Sequence, residues 1–321
     1  MPRQRHPPLK IQPMDSTKGS PSDSRRRETL TGVFYAASAF LIWGLSPVYW
    51  KAMQAVPALE IVIHRVIWSF FILLALTLAQ RRGPELAEVL RTPRTLLVLM
   101  VTTLLVSVNW LLYIWAVNAG YLLQASLGYY INPLVNVLLG MVFLKERLRR
   151  PQALAVLLAC AAVVFRTVSD GQFPWIALAL AFSFGIYGLI RKVAPVGPLV
   201  GLTVETLLLT PIGGAYLIYL ERQDAGALFH GDLALDALLI GTGLITAFPL
   251  LFFNLAARRI NLSTVGLMQY IAPSGMFLLA VLAYGEPFTG VQAWTFALIW
   301  AALALYSIDS VRAYRLVGRT S

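Results

Sequence analysis

Tyr130-Ile-Asn-Pro133, followed by Glu146, returns as Tyr270-Ile-Ala-Pro273, followed by Glu286. Tyr, Ile, Pro and Glu all recur at one offset of 140 residues, and the stretches between them are apolar in both copies. Self-similarity at a fixed period constrains a fold more than an isolated motif does. The match extends outward. Ile42-Trp43-Gly44-Leu45 pairs with Ile186-Tyr187-Gly188-Leu189, Pro57 and His64 pair with Pro198 and Glu205, and Leu111, Ala116 and Val117 pair with Leu251, Ala256 and Ala257. Four matches in the same order indicate a duplicated chain.

The copies are built of apolar runs. The 321 residues are 58% hydrophobic and 13% charged, with a mean hydropathy of +0.70. That is far more apolar surface than a soluble domain of this size can bury. Ten segments stand out, near 30–50, 57–79, 95–117, 122–144, 151–168, 174–190, 198–220, 234–256, 262–284 and 289–308. A helix needs about 20 residues to cross a hydrocarbon core of ~30 Å. The runs are continuous rather than alternating, which excludes lipid-facing strands. The fold expected is all-α and membrane-integral, with ten transmembrane helices. The fifth segment is the weakest, because only about 15 apolar residues separate Arg150 from Arg166, roughly 22 Å at ~1.5 Å per residue.

The net charge of +11 and pI near 10.0 suggest nucleic acid until the charges are placed. Lys and Arg cluster in the N-terminal tail, at 81–94, 145–150, 191–192 and 258–259, and after 309. These are alternate connections of a ten-span chain. The remaining connections hold Lys51, Arg166 and Arg222 among the acids Asp170, Glu221, Asp224, Asp232 and Asp236. By the positive-inside rule both termini are expected in the cytoplasm. The basicity is then topological, and no nucleic-acid partner is expected. Five spans per copy is an odd number, so the copies are expected to have opposite orientations, an architecture common among secondary transporters. The expected units are a disordered cytoplasmic tail (1–28), a first repeat (30–168), a second repeat (174–308) and a C-terminal cytoplasmic tail (309–321). No cleavable leader is evident before the first apolar run. The single cysteine, Cys160, lies within an apolar run and permits no internal disulfide.

Leu41-Ile-Trp-Gly-Leu-Ser-Pro-Val-Tyr-Trp-Lys51, Glu60-Ile-Val-Ile-His-Arg65, Asn109-Trp-Leu-Leu-Tyr-Ile-Trp-Ala-Val-Asn118, Leu127-Gly-Tyr-Tyr-Ile-Asn-Pro133 and Gln269-Tyr-Ile-Ala-Pro273 carry a family resemblance. The chain resembles the EamA repeats of the drug/metabolite transporter superfamily over about residues 30–310. The resemblance implies ten helices in two inverted five-helix repeats, in the bacterial inner membrane, and a transporter role. It transfers no established binding residues.

Ionisable groups within apolar spans cost about 2.5–3.5 kcal/mol each on insertion scales, so they are the first candidates for function. Glu60 and His64 share a helix face, and Arg65 lies about 100° round. They read as an anion anchor (Arg65) beside a titratable pair, or else as an ion-pair network that fixes packing. Glu205 is the one acid deep in the second copy's spans. It reads as a proton-coupling carboxylate, or as the partner of Arg65. Tyr129, Asn132, Pro133 and Asn136 share a face, and a proline in a helix leaves the carbonyl four residues earlier unpaired. That face should line protein or a wet cavity, with Gln269, Tyr270 and Pro273 as its counterpart in the second copy. The competing reading is interhelical hydrogen bonding and a static kink. Asn109 and Trp110, with Tyr113 and Trp115 nearby, suit an aromatic pocket wall, though such residues also serve packing and interfaces. Trp43 with Pro47 suggests a hinge or a fixed kink. Glu146 and Glu286 suggest a shared structural role such as helix capping.

Only His6, His64 and His230 are present, so no paired-histidine metal motif forms, and no Gly-x-Ser-x-Gly or P-loop is found. No cofactor, metal or catalytic residue is expected. The expected function is secondary active transport of a small organic solute, coupled to protons. A membrane enzyme acting on a lipid or isoprenoid is the alternative, and a channel is disfavoured by the asymmetry between His64 and Glu205. The expected partners are a small-molecule substrate and the bilayer, with a homodimer left open.

Overall fold

The computed structural model describes residues 21–145, 149–171, 173–230, 232–257, 259–260 and 268–317. Glu146, Arg147, Arg258, the tail up to residue 20, the start of the ninth span and residues 318–321 lie outside them. Among the described residues there is no strand. The helices are α1 (Pro21–Ala52), α2 (Ala58–Ala79), α3 (Gly83–Arg91), α4 (Pro93–Asn118), α5 (Leu122–Leu144), α6 (Arg150–Asp170), α7 (Trp175–Val193), α8 (Pro198–Glu221), α9 (Leu233–Ala257), α10 (Ile271–Leu278) and α11 (Gly290–Val317). Of these, nine are long and apolar enough to cross a membrane, and α10 with the π turn Leu279–Ala283 forms a shorter tenth apolar segment.

The questionable fifth span is α6, 21 residues long and thus about 31 Å at ~1.5 Å per residue. It packs along α11, and Arg149 just before it forms a 2.9 Å ion pair with Asp309 of α11. The N-terminal tail differs in part from the disorder expected of it. Helix α1 starts at Pro21, so residues 21–28 are helical; proline suits a helix start because its missing N–H would be unbonded there. Helix α11 likewise continues through Val317. The sequence also hid α3. Its two turns are too polar to read as a span, yet Leu86 and Val89 are buried against Leu99 of α4 and Val200 and Val204 of α8.

The duplication appears as paired contacts. Inversion exchanges α1 with α7, α2 with α8, α4 with α9, α5 with α10 and α6 with α11. Each exchanged pair α2–α8, α5–α10 and α6–α11 packs together. Contacts between non-equivalent helices also come in symmetric pairs: α1–α9 with α4–α7, α5–α7 with α1–α10, and α2–α9 with α4–α8. Such a set arises when one half is turned over against the other about an axis in the membrane plane.

The repeated Tyr-Ile-x-Pro stretches meet on that axis. Tyr130 and Tyr270 stack with ring centroids 6.3 Å apart and planes 21° from parallel. Tyr130 Oη and Ser274 Oγ are 2.6 Å apart, and Ser126 Oγ donates to the Pro273 carbonyl at 2.8 Å. The two prolines differ in local role. Pro133 lies inside α5, whereas Gln269 and Tyr270 form a turn, leaving Pro273 in the first turn of α10.

Small residues let the repeats approach. A Cβ on Gly128 would lie 2.7 Å from the Ala177 carbonyl oxygen, and one on Gly44 would lie 3.1 Å from that of Ala272. With no hydrophobic drive between helices in lipid, this close packing and interhelical hydrogen bonding hold the bundle together.

Candidate functional site

A cavity of about 700 Å³ runs into the bundle between the two repeats. One end reaches the surface among Gln80, Arg82, Arg191 and Lys192, at the end of the bundle that carries most Lys and Arg. The other end stops at Ser46, Trp50 and Tyr113, all at least nine-tenths buried. Aromatic rings form much of the wall, including Phe40, Trp43, Trp110, Tyr129, Phe184 and Phe253.

Of the candidates named from sequence, Arg65, Asn109, Trp110, Tyr129, Asn132 and Gln269 line this cavity. Arg65 is 7% exposed, and its guanidinium lies 4.2 Å from the Trp110 ring centroid and 5.3 Å from that of Trp50. Its Nε has no hydrogen-bond partner among the described residues. Asn109 Nδ2 donates to the Leu180 carbonyl at 3.1 Å and to Ser183 Oγ at 2.8 Å, leaving its Oδ1 unpaired among the described residues. Asn132 Nδ2 donates to the next carbonyl, that of Ala181, at 3.0 Å, and its Oδ1 accepts from Asn136 at 3.1 Å. The two asparagines thus pin α7 between α4 and α5 while facing the cavity, so the packing and lining readings both hold. Tyr129 meets Tyr113 and Phe184 edge-on.

Glu60, His64, Glu205 and Tyr270 do not line the cavity. Glu60 accepts the Ala227 N–H at 2.7 Å and so holds the α8–α9 connection; His64 Nε2 lies 3.9 Å from it. Tyr270 is taken up by its stack on Tyr130. Pro133 also lies off the wall, whereas Pro273 is on it.

The alternative reading of Glu205 as the partner of Arg65 is overturned. Glu205 accepts from Thr102 Oγ1 at 2.7 Å and Tyr187 Oη at 3.2 Å, and its ion-pair partner is Arg191, at 3.7 Å. The reason is depth. Helices α2 and α8 run antiparallel: Thr77 meets Thr203 at 2.9 Å, and Gly213 packs on Ile63. Glu205 is therefore level with residue 75 or so, about ten residues from Arg65, on the order of 15 Å along the axis. Residues matched in an inverted repeat lie at mirrored depths, so alignment of His64 with Glu205 separates the two charged groups.

Sequence reasoning missed Arg191 by counting it as a connection charge. Helix α7 continues to Val193, and Gly201 leaves the guanidinium room; a side chain at 201 would overlap it. The Gly201 backbone facing a nearby Arg is legible only once α7 and α8 are packed. Trp50 was also missed as a site residue, being read only within a longer stretch.

The closed end of the cavity is fastened by polar contacts. Pro47 deprives the Trp43 carbonyl of its helical donor, and Ser46 Oγ supplies one at 2.8 Å while lying 3.1 Å from Tyr113 Oη. Tyr49 donates to the Leu238 carbonyl. Glu286 accepts the N–H groups of Leu122 and Leu123, each at 2.7 Å, and so caps the first turn of α5 in the other repeat rather than the helix that follows it. Burial pushes its carboxyl above the ordinary value, while the two N–H groups and Lys51 oppose that rise. Lys51 lies 4.5 Å from the Tyr284 ring centroid. Trp115 stands apart, half-exposed and packed on Tyr121 and Trp175.

Residues 30–168 match the model of the EamA-like transporter family. An uncharacterized transporter of Vibrio cholerae is 49% identical over 288 residues, covering 90% of this chain and 95% of that one. Protein RarD of Escherichia coli is 46% identical over 293 residues, covering 91% and 99%. The uncharacterized transporter YojE of Bacillus subtilis is 45% identical, covering 89% and 96%. A solved crystal structure of a further protein superposes with a TM-score of 0.54 at 20% identity, covering 88% of this chain and 97% of that one; it shares the fold.

Proposed function

Since the chain belongs to the EamA-like transporter family and shares close to half its residues with RarD proteins, we propose that it is a secondary active carrier of small organic solutes. That it is a multi-pass membrane transporter accords with its relatives' names and its apolar helices. The carrying observation for the mechanism is the cavity between inverted repeats, open at one end and fastened at the other. Rocking one repeat against the other would close the first end and open the second, which is alternating access. By the positive-inside rule the open end faces the cytoplasm and both termini are cytoplasmic, and the bacterial sources of the relatives support the inner membrane as the location. The repeats are 30–168 and 174–308.

In this reading Arg65, Asn109, Trp110, Tyr129, Asn132 and Gln269 contact the solute. Glu205 and the Glu60–His64 pair carry the coupling proton. Glu205 is supported by its place against the cavity wall, where it binds groups from α4 and α7 that must shift if the repeats rock.

Purified protein in vesicles loaded with a defined metabolite mixture tests this. An imposed pH gradient without ATP should release a selected subset faster than from protein-free vesicles, as read by mass spectrometry. No selective release would sink the carrier reading. Unchanged gradient-driven flux in both Glu205→Gln and His64→Gln would sink the coupling assignment. A reporter fused after Arg319 should be active on the cytoplasmic side.

A further inference from the structure

The cavity's charges are of one sign. Among its described lining residues there is no Asp or Glu, while Arg65, Arg82, Arg191 and Lys192 contribute to its wall. Arg191 is 3.7 Å from Glu205, Arg82 is 3.8 Å from Glu85, and Lys192 is also engaged. Arg65 is different. It lies at the blind end, more than nine-tenths buried, with no carboxylate within 4.0 Å among the described residues. A buried cation without a counter-charge is costly, and truncating the partner of such an ion normally destabilises a protein strongly. Here the ring faces of Trp50 and Trp110 compensate part of that cost by cation–π attraction. They cover the guanidinium but do not use its N–H donors, and Nε is unpaired among the described residues.

We propose, resting on the carrier reading above, that the transported solute is a small organic anion with a planar apolar body. Its carboxylate binds Arg65, and its ring lies against Trp110 and Tyr129. Guanidinium presents a rigid fork of donors that matches the two oxygens of a carboxylate. The Asn109 Oδ1, unpaired among the described residues, can accept from a hydroxyl or amide N–H elsewhere on the solute. The aromatic wall suits a ring, and a cavity of about 700 Å³ admits a molecule of that kind with room to spare. Organic cations are excluded, because every charged group lining the described wall would repel them.

The test uses the full chain purified in detergent and varies charge on the ligand first. Benzoate, benzamide and benzylammonium have nearly the same shape. Binding is followed by quenching of tryptophan fluorescence and by calorimetry. Benzoate should bind at least about tenfold more tightly than benzamide, the expected size of one charge-assisted hydrogen-bonded pair, and benzylammonium should bind weakest. Acetate should compete at least about tenfold less well than benzoate, because it lacks the ring. Arg65→Gln should abolish the preference for benzoate over benzamide, and Arg65→Lys should retain part of it. Equal affinity for benzoate and benzamide, a preference that survives Arg65→Gln, or failure of benzoate and 2-naphthoate alike to bind would each overturn the proposal. If Arg65→Gln does not fold, the three ligands on the unaltered protein still decide it. Selective release of neutral or cationic metabolites from vesicles would overturn the anion assignment while leaving the carrier reading intact.

Discussion

Removing the Glu286 carboxylate should loosen the closed end of the cavity. In this conformation the side chain, from the connection between α10 and α11, accepts two N–H groups at the start of α5 and so ties the second repeat to the first. Those N–H groups have no intrahelical acceptor. Glu286→Ala strands both. Loss of a side-chain cap at a helix N-terminus costs roughly 0.5–2 kcal/mol, and two stranded donors place this case near the upper half, about 1–2 kcal/mol. If the contact exists only while this end is closed, that energy becomes a population shift of roughly 5- to 30-fold toward the state open at this end. Ser46, at the blind end of the cavity, can report it. In a Cys160→Ser background, Ser46→Cys should react with an impermeant maleimide added from the Glu286 side. The rate should rise about 5- to 30-fold on Glu286→Ala, and less on Glu286→Gln, which keeps one acceptor. A rate indistinguishable from the parent in both variants would show that the clamp does not hold the closed end.

The same carboxyl gives a pH dependence whose sign follows from burial. Its pKa in the clamped state is raised above the ordinary 4.5, so the clamped state binds the proton more tightly than the released state does. The contribution is fully present below that ordinary value and is lost as pH rises through the raised one. Because the reactive thiolate fraction rises with pH in every variant, the readout is a ratio: labelling of the parent relative to Glu286→Gln should increase across that window. At the other end, Glu205→Ala should lower thermal stability by about 1–3 kcal/mol, less than the roughly 3–5 of a fully buried broken pair because Arg191 faces the open cavity. A cycle with Arg191→Gln should show coupling of about 0.5–3 kcal/mol; additivity would rule the pair out. Gly128→Ala should cost about 1–3 kcal/mol, since the added methyl meets the Ala177 backbone, whereas Gly188→Ala meets nothing within 4 Å and should be neutral or stabilising in a detergent melt.

Much of this architecture was legible because membrane folds write their largest constraint into composition. Continuous apolar runs gave the spans, and Tyr130 and Tyr270 proved to be a contact as well as a repeat. The cavity face was legible in part. Asn109, Asn132 and Arg65 stand out because polar groups in apolar runs need a reason. What escaped was whatever depends on depth or on a neighbouring helix. Helix α3 is held by Leu86 and Val89 against helices distant in sequence, so its nine residues look like any polar connection. Arg191 looked like a connection charge because nothing in the sequence says that α7 outlasts its apolar run. The alternative that paired Glu205 with Arg65 fails because an alignment of repeats gives equivalence, and inversion converts equivalence into distance.

That conversion explains why the charged groups do not match between the halves. At the offsets of the repeats, 141 residues for the second span and 144 for the first, Arg65 corresponds to Thr206 and Arg191 to Pro47. A carrier built of two identical inverted halves would present the same groups at both ends of its path and would bind its solute equally well facing either way. Here the first repeat places Arg65, without a carboxylate partner among the described residues, at the fastened end. The second places Arg191 at the open end, already paired with Glu205. The anion proposed above, passing from Arg65 toward the open end, would have to compete with Glu205 for the next cation. In the alternating-access reading proposed above, the scaffold's symmetry would supply two conformations of similar energy, and these unmatched residues would make the two differ in what they hold. Arg65→Thr, which gives the first half the residue of the second, should therefore abolish quenching of tryptophan fluorescence by benzoate without creating a site elsewhere, because Thr206 is buried off the cavity wall.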